Sequence, residues 1–264
     1  MNIYAGTKHF KDLNDEIKSC PDKEVVIQNC IGQRYIGCGM KDKNIVINGT
    51  PGNALASYLD GCTVRVYGNT QEATGDTMNS GTIYIHGSSG DATGYAMRGG
   101  KIFIKENTGY RTGIHIKAYN EHKPSIVIGG CAGSFLGEYQ AGGTIVVLGL
   151  NTDEKTPVGR FCGTGMHGGK IFIRCEELPF DLPKQISVKK ADKEDMEEII
   201  PLIDEYCNEF DFNKDTVFEK DFYVLTADTK NPYKQLYTKN WFLFEVILWI
   251  IQYQRFFNLL KKMM

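Results

Sequence analysis

Few side chains in this chain are spaced for chemistry. Gly163-Thr164-Gly165-Met166-His167-Gly168 has the G-x-G-x-x-G spacing that lets a backbone approach a pyrophosphate. That chemistry needs a strand before the glycines and a helix after them, so that the helix N-terminus faces the phosphates. Here the strand-like Lys170-Ile171-Phe172-Ile173 follows directly, and the glycines are read as chain corners. The five histidines (9, 86, 115, 122, 167) include no pair at the i, i+4 spacing of a helical metal site. The eight cysteines include no C-x-x-C pair, so no zinc or iron–sulfur ligand run is present. Cys131 and Cys162 stand in glycine-rich corners where a small buried residue suffices. No Ser/His/Asp or Cys/His set stands out. Arg98 and Arg111, with Tyr95 and Tyr110, flank a turn and could contact an acidic partner, the alternative being solvated loop side chains.

The elements that would position such groups follow from a repeat. Strand-like stretches recur with apolar anchors at Ile45, Val64, Ile83 and Ile102, a constant interval of nineteen. The series continues at Ile126, Ile145 and Ile171, with intervals of twenty-four, nineteen and twenty-six. Two turns therefore carry insertions. Self-similarity at a fixed period marks stacked supersecondary units, one rung per repeat. Within each stretch the anchors alternate (Ile45/Ile47, Val64/Val66, Ile83/Ile85, Ile102/Ile104, Ile126/Ile128, Ile145/Val147, Ile171/Ile173), which places them on one strand face. Glycine two positions before the anchor, at 81, 100, 143 and 169, suits a corner that side-chain-bearing residues resist. Leu59, Met78, Met97, Gln140 and Met166, five before the anchor, fill the interior. Parallel strands joined by about 15 residues need no crossover helix. The expected fold is all-β, a right-handed parallel β-helix (solenoid) with short N- and C-terminal helical segments.

The residues between the anchors point the other way: Val46, Arg65, Tyr84, Phe103, Val127, Val146 and Phe172. An outer row this apolar calls for a cover, either the chain's own C-terminal helix or a partner. Tyr84, Phe103, Val127, Val146 and Phe172, with Arg98 and Arg111, are thus the candidate partner interface.

Four segments are expected. Residues 1–24 form an N-terminal helical cap, with Phe10, Leu13 and Ile17 on one face after Thr7 as N-cap. Residues 25–176 form the glycine-rich β-helix. Residues 177–238 supply a connector, a helix from Asp192 to Phe210 that Pro201 should kink or split, and an extended tail with a turn at Asn231-Pro232. Residues 239–264 are an apolar extension, with three quarters of the stretch 241–260 apolar. A buried helix, a membrane-surface anchor and a non-native extension all remain open for it.

A net charge of -2 with 23% charged residues gives no global attraction to nucleic acid or anionic lipid. Membrane contact is expected only through 241–260. The polar N-terminal stretch from Met1 to Cys20 holds no secretory apolar core, and eight cysteines without a disulfide spacing fit a reducing cytoplasm. A polysaccharide-cleaving β-helix would present clustered acids, but Asp60, Asp76 and Asp91 are out of phase.

Several long strings, GNTQEATGDTMNSGTIYIHG, GDATGYAMRGGKIFI, IGGCAGSFLGEYQAGGTIVVLGL and VGRFCGTGMHGGKIFIR, closely resemble the C-terminal β-helix (GXGXG) domain of glutamate synthase in its stand-alone subunit form. They are more distantly similar to the corresponding subunit of formylmethanofuran dehydrogenase. The resemblance covers about 25–238. It implies a non-catalytic subunit of an oxidoreductase that converts glutamine and 2-oxoglutarate to glutamate in ammonia assimilation. It further implies partner subunits carrying the glutaminase and the FMN barrel, with FMN and the iron–sulfur cluster held there. No catalytic, cofactor-binding or metal-ligating residue is assigned to this chain. A scaffold subunit of another redox complex, such as a formyl-handling one, is the alternative.

Overall fold

The computed structural model describes residues 1–150 and 152–228. The Asn231-Pro232 turn and the 239–264 extension lie outside the described residues. The described chain is mostly β. In chain order it comprises β1 (Asn2–Tyr4), α1 (Phe10–Ser19), β2 (Glu24–Ile31), β3 (Asn44–Thr50), β4 (Asp60–Tyr67), β5 (Ser80–Ile85), β6 (Lys101–Ile104) and β7 (Ser125–Ile128). It continues with β8 (Ala141–Val147), β9 (Gly168–Arg174), β10 (Ile186–Lys190), α2 (Lys193–Phe210), α3 (Lys214–Val217) and β11 (Phe222–Ala227).

The strands form one sheet in which β1 to β9 follow chain order and are parallel, each hydrogen-bonded to the next. The anchors pair in register from Ile45 through Val64, Ile83, Ile102, Ile126 and Ile145 to Ile171. Val25 precedes Ile45 in the same line, so the ladder begins one rung earlier than the repeat suggests. The sheet is mixed at its far end, where β11 pairs antiparallel with β9 and β10 pairs antiparallel with β11. Residues 222–227, expected as part of an extended tail, are therefore a sheet strand, and β10 is a strand that the repeat did not announce.

The chain between strands also stacks. Single parallel bridges join Thr70, Ser89, Thr108, Ala132 and Val158 from repeat to repeat. A further line of backbone bonds runs from the N–H of Gly75, Gly94, Gly113, Gly137 and Gly163 to carbonyls of Leu55, Thr74, Thr93, Thr112 and Leu136. Each repeat therefore meets its predecessor along three lines, which satisfies backbone groups that burial would otherwise leave unpaired. The anchors fill the space between these lines together with Leu59, Met78, Met97 and Met166. Gln140 replaces an apolar residue there, and its amide donates to the carbonyls of Gly142 (3.2 Å), Gly143 (3.1 Å) and Lys170 (3.3 Å).

Close stacking explains the corner glycines. Gly81 has φ +99°, and a Cβ built on it would lie 2.3 Å from the Cys62 carbonyl oxygen of the preceding rung. Two local expectations are corrected. α1 is capped by His9, whose side chain accepts from the Lys11 N–H, because the helix starts later than a Thr7 cap would place it. α2 is one helix of 18 residues through Pro201, held at its start by a reciprocal Asp192/Asp195 capping box and ended by Asp211 in the left-handed region. Among the described residues, no helix is long and apolar enough to cross a membrane.

Gly81→Ala combines backbone strain with a collision against a carbonyl, whereas Gly39→Ala at φ +65° meets nothing within 4 Å. Denaturant unfolding should show Gly81→Ala destabilised by about 3 kcal/mol or more and Gly39→Ala by about 1 kcal/mol. Equal losses would mean that rung spacing does not dictate glycine at 81.

Candidate functional site

The outer face of the sheet is built by the strand residues between the anchors, which share one in-register line from Val46 through Arg65, Tyr84, Phe103, Val127 and Val146 to Phe172. From Tyr84 to Phe172 the line is covered by α2. Ile199, Ile203, Tyr206 and Phe210, at helical spacing, form one buried cluster with Tyr84, Phe103, Val127, Val146 and Phe172. Tyr84 is 8% exposed, and the other four outer residues are fully buried. These five candidate interface positions therefore pack against the chain's own helix.

Charged pairs line the rim of this contact. Arg65 makes a two-pronged bond to Glu209, with Nε 2.9 Å from Oε1 and Nη2 3.0 Å from Oε2, and its guanidinium lies 4.7 Å from the centre of the Tyr84 ring. His86 Nε2 stands 3.1 Å from Glu209 Oε1, and its ring meets Phe210 edge-on at 5.0 Å. The Tyr84 hydroxyl donates to Glu205 (2.8 Å), and burial followed by this bond pushes its pKa well above the ordinary tyrosine value. Lys101 pairs with Glu205 at 2.5 Å and Lys170 with Glu198 at 2.7 Å. Reading the sequence misses Glu198, Glu205 and Glu209. Their spacing of seven and four beside the apolar stripe is the signal that could have found them.

At the end of β9, the buried Arg174 donates to the carbonyls of Leu148 (3.0 Å), Thr216 (2.9 Å) and Val217 (2.8 Å), so it ties the end of α3 to the sheet. Burial lowers its pKa from the ordinary arginine value.

Two lines of rings lie outside this covered face, at the corners between strands. Tyr110, Phe135 and Phe161 follow one another at centroid distances of 5.3 and 4.9 Å, and Arg111 lies over Tyr110 and Phe135. Tyr95, His115 and Tyr139 form the second line at 5.9 and 5.1 Å. Tyr95, Tyr110, Tyr139 and Phe161 are each 40–45% exposed. Arg111 is held by Glu138 at 2.8 Å. Arg98 is not in this cluster; it lines a separate cavity with Lys117 and His122. The sequence pairing of Arg98 and Arg111 with Tyr95 and Tyr110 is thus divided between two places.

Gly163 and Gly165 have positive φ and lead into β9 rather than a helix. Among the described residues, no three His, Cys, Asp or Glu side chains converge as metal ligands. All eight cysteines are free thiols, six of them buried. Burial pushes the Cys162 thiol up to about 12 and the Cys175 thiol up to about 11, away from the thiolate form that reacts.

Two measurements check this picture. Tyr84→Ser combined with Phe103→Ser should destabilise the isolated chain by about 3–5 kcal/mol, because the bed of α2 is lost. Unchanged unfolding would show that α2 does not depend on it. In the native chain, iodoacetamide should modify the partly exposed Cys38 and Cys131 well before the buried Cys162, as peptide mass mapping would show. Early labelling of Cys162 would contradict its enclosed position.

Comparison with known proteins places this geometry. The family model described as GXGXG motif matches residues 19–228. An uncharacterised protein of Methanocaldococcus jannaschii is 46% identical over 251 residues, covering 89% of this chain and 95% of the relative. Among solved structures, a chain of the formyltransferase/hydrolase complex (FhcABCD) from Methylorubrum extorquens, determined with methylofuran, has a similar fold. The TM-score is 0.56 at 21% identity, covering 76% of this chain and 72% of that one. With the family match spanning β2 to β11, the chain belongs to the GXGXG family.

Proposed function

We propose that this chain is a non-catalytic subunit of a glutamate synthase-type oxidoreductase, which converts glutamine and 2-oxoglutarate to glutamate with separate glutaminase and FMN/iron–sulfur subunits. The observation that carries the reading is family membership over residues 19–228. The stacked parallel strands, with their two further lines of rung-to-rung bonds, support reading the coil as a right-handed parallel β-helix. In this role the chain organises its partners. Tyr84, Phe103, Val127, Val146 and Phe172 contribute by fixing α2. The exposed rings around Arg111 supply the docking face for the FMN-barrel subunit, since aromatic residues and arginine are enriched where proteins meet. A cytoplasmic setting belongs to the same reading.

A second reading has its own support. The fold match to a chain of the formyltransferase/hydrolase complex favours a scaffold subunit of a formyl-handling assembly. A tagged full-length chain, captured from native cell extract with partners identified by mass spectrometry, separates the two. Glutaminase and flavin-barrel subunits at near-equimolar recovery are expected, with Tyr110→Ser plus Phe161→Ser weakening capture without changing the chain's own unfolding. Recovery of formyl-handling subunits would replace the first reading with the second, and recovery of neither would reject both.

A further inference from the structure

One position of the repeat carries charge in a way that the fold does not explain. Asp60, Asn79, Arg98 and Lys117 follow one another at the nineteen-residue period, and they stack on successive rungs. The Asn79 N–H bonds to the Leu59 carbonyl, the Arg98 N–H to that of Met78 and the Lys117 N–H to that of Met97. On the next rung the Ala141 N–H bonds to the Ile116 carbonyl, so only a methyl group stands beyond Lys117. Neighbouring strands lie about 4.8 Å apart, and like charges directly opposite each other are unfavourable. Arg98 and Lys117 nevertheless occupy adjacent rungs, and no carboxylate of the described residues forms an ion pair with either. The acid of the stack does not compensate them. Asp60 is engaged by Lys41 at 2.6 Å on one oxygen and by Ser80 at 2.9 Å on the other.

The chain adds a wall at this place. The interval from Ile102 to Ile126 exceeds the repeat by five, and the surplus forms a tight hairpin in which Tyr119 and His122 exchange backbone bonds of 3.0 Å. Insertions into a repeat map to loops on one face, often the binding face. His122 comes alongside the stack because position 99 is glycine, where a Cβ would lie 3.1 Å from the His122 Cβ. Asp60, Asn79, Arg98, Lys117, Tyr119, Asn120 and His122 thereby line a cavity of about 470 Å³. The hairpin's own acid, Glu121, is exposed and outside this lining.

We propose that this cavity is a binding site for a compact polyanion, with phosphate or carboxylate groups held between Arg98 and Lys117. The forked guanidinium of Arg98 suits the planar or tetrahedral oxygens of such groups. Lys117 adds a second charge from the neighbouring rung. Asn79 and Tyr119 offer neutral hydrogen-bonding groups, and the already neutralised Asp60 bounds the site without filling it. Local rules are broken where function demands it, and two stacked cations facing a built cavity are such a break.

The test titrates the full-length chain at low ionic strength with inorganic phosphate and, separately, with succinate, using calorimetry and thermal unfolding with sodium chloride as the control. Saturable binding with a rise in melting temperature is expected for at least one anion, following the linkage between ligand and folded state. Phosphate alone would identify a phosphate-bearing ligand, succinate alone a carboxylate-bearing one, and both the shared dianion chemistry. Arg98→Gln and Lys117→Gln should each weaken the affinity about tenfold or more, the loss of one charge-assisted contact, while Lys8→Gln on the remote surface leaves it unchanged. Without anion, Lys117→Gln should unfold no earlier than the parent chain, because it relieves repulsion and removes no ion pair of the described residues. A chain that binds neither anion saturably, or binds equally well after Arg98→Gln, would overturn the proposal. This outcome is independent of which subunits the chain assembles with.

Discussion

The backbone of each rung lies at hydrogen-bonding distance from the rung before it, along three separate lines, and the remaining features are consequences of that closeness. Where a corner crosses the preceding carbonyl, as at Gly81, there is no room for a Cβ. Where the strands run in register, aliphatic residues of one repeat stack on those of the next. An insertion is tolerated only between strands, because pairing must resume at the next anchor. The surplus chain before Ile126 leaves the Ile102–Ile126 pairing intact and projects as a hairpin.

A single sheet built this way has two apolar faces, and each needs a cover. On one side the anchors pack in one buried cluster with Leu59, Met78, Met97 and Met166. On the other, α2 lies across five successive outer residues, with its apolar stripe inward and its glutamates reaching Arg65, Tyr84, Lys101 and Lys170. The salt bridges lie at a partly solvated rim, where each contributes little. Their use is to set the helix's position, while the buried rings and aliphatic groups supply most of the stabilisation. The antiparallel β11 and β10 then end the parallel stack and occupy an edge that would otherwise be open to another strand.

Among the described residues, the corners between strands stay open to solvent. One group of corners presents rings and Arg111, the other the stacked pair of Arg98 and Lys117 under its hairpin. Neither resembles a cleft that activates a nucleophile or orients a general base. The proposed subunit, one that positions partners and holds an anion, is consistent with such a surface.

Much of the fold was legible without coordinates. A nineteen-residue period with alternating β-branched anchors and glycine in phase leaves few arrangements other than rungs in register, since a one-residue slip would turn every anchor outward. The apolar stripe of α2 was equally plain. Sequence could not decide what covers Tyr84 and Phe103, because an apolar outer row is compatible with any apolar partner, and only the packed chain brings Ile203 and Tyr206 onto it. Nor could it show β10 and β11, whose pairing depends on long-range contacts rather than on local pattern, or the separation of Arg98 from Arg111. Arg98 and Arg111 are less than one period apart and do not share a line, whereas residues a full period apart pair from repeat to repeat. The repeat, its register and its corners follow from the residue pattern alone. The tertiary structure decided which faces are hidden and which charges become neighbours, because burial and electrostatics are set by distances across rungs rather than along the chain.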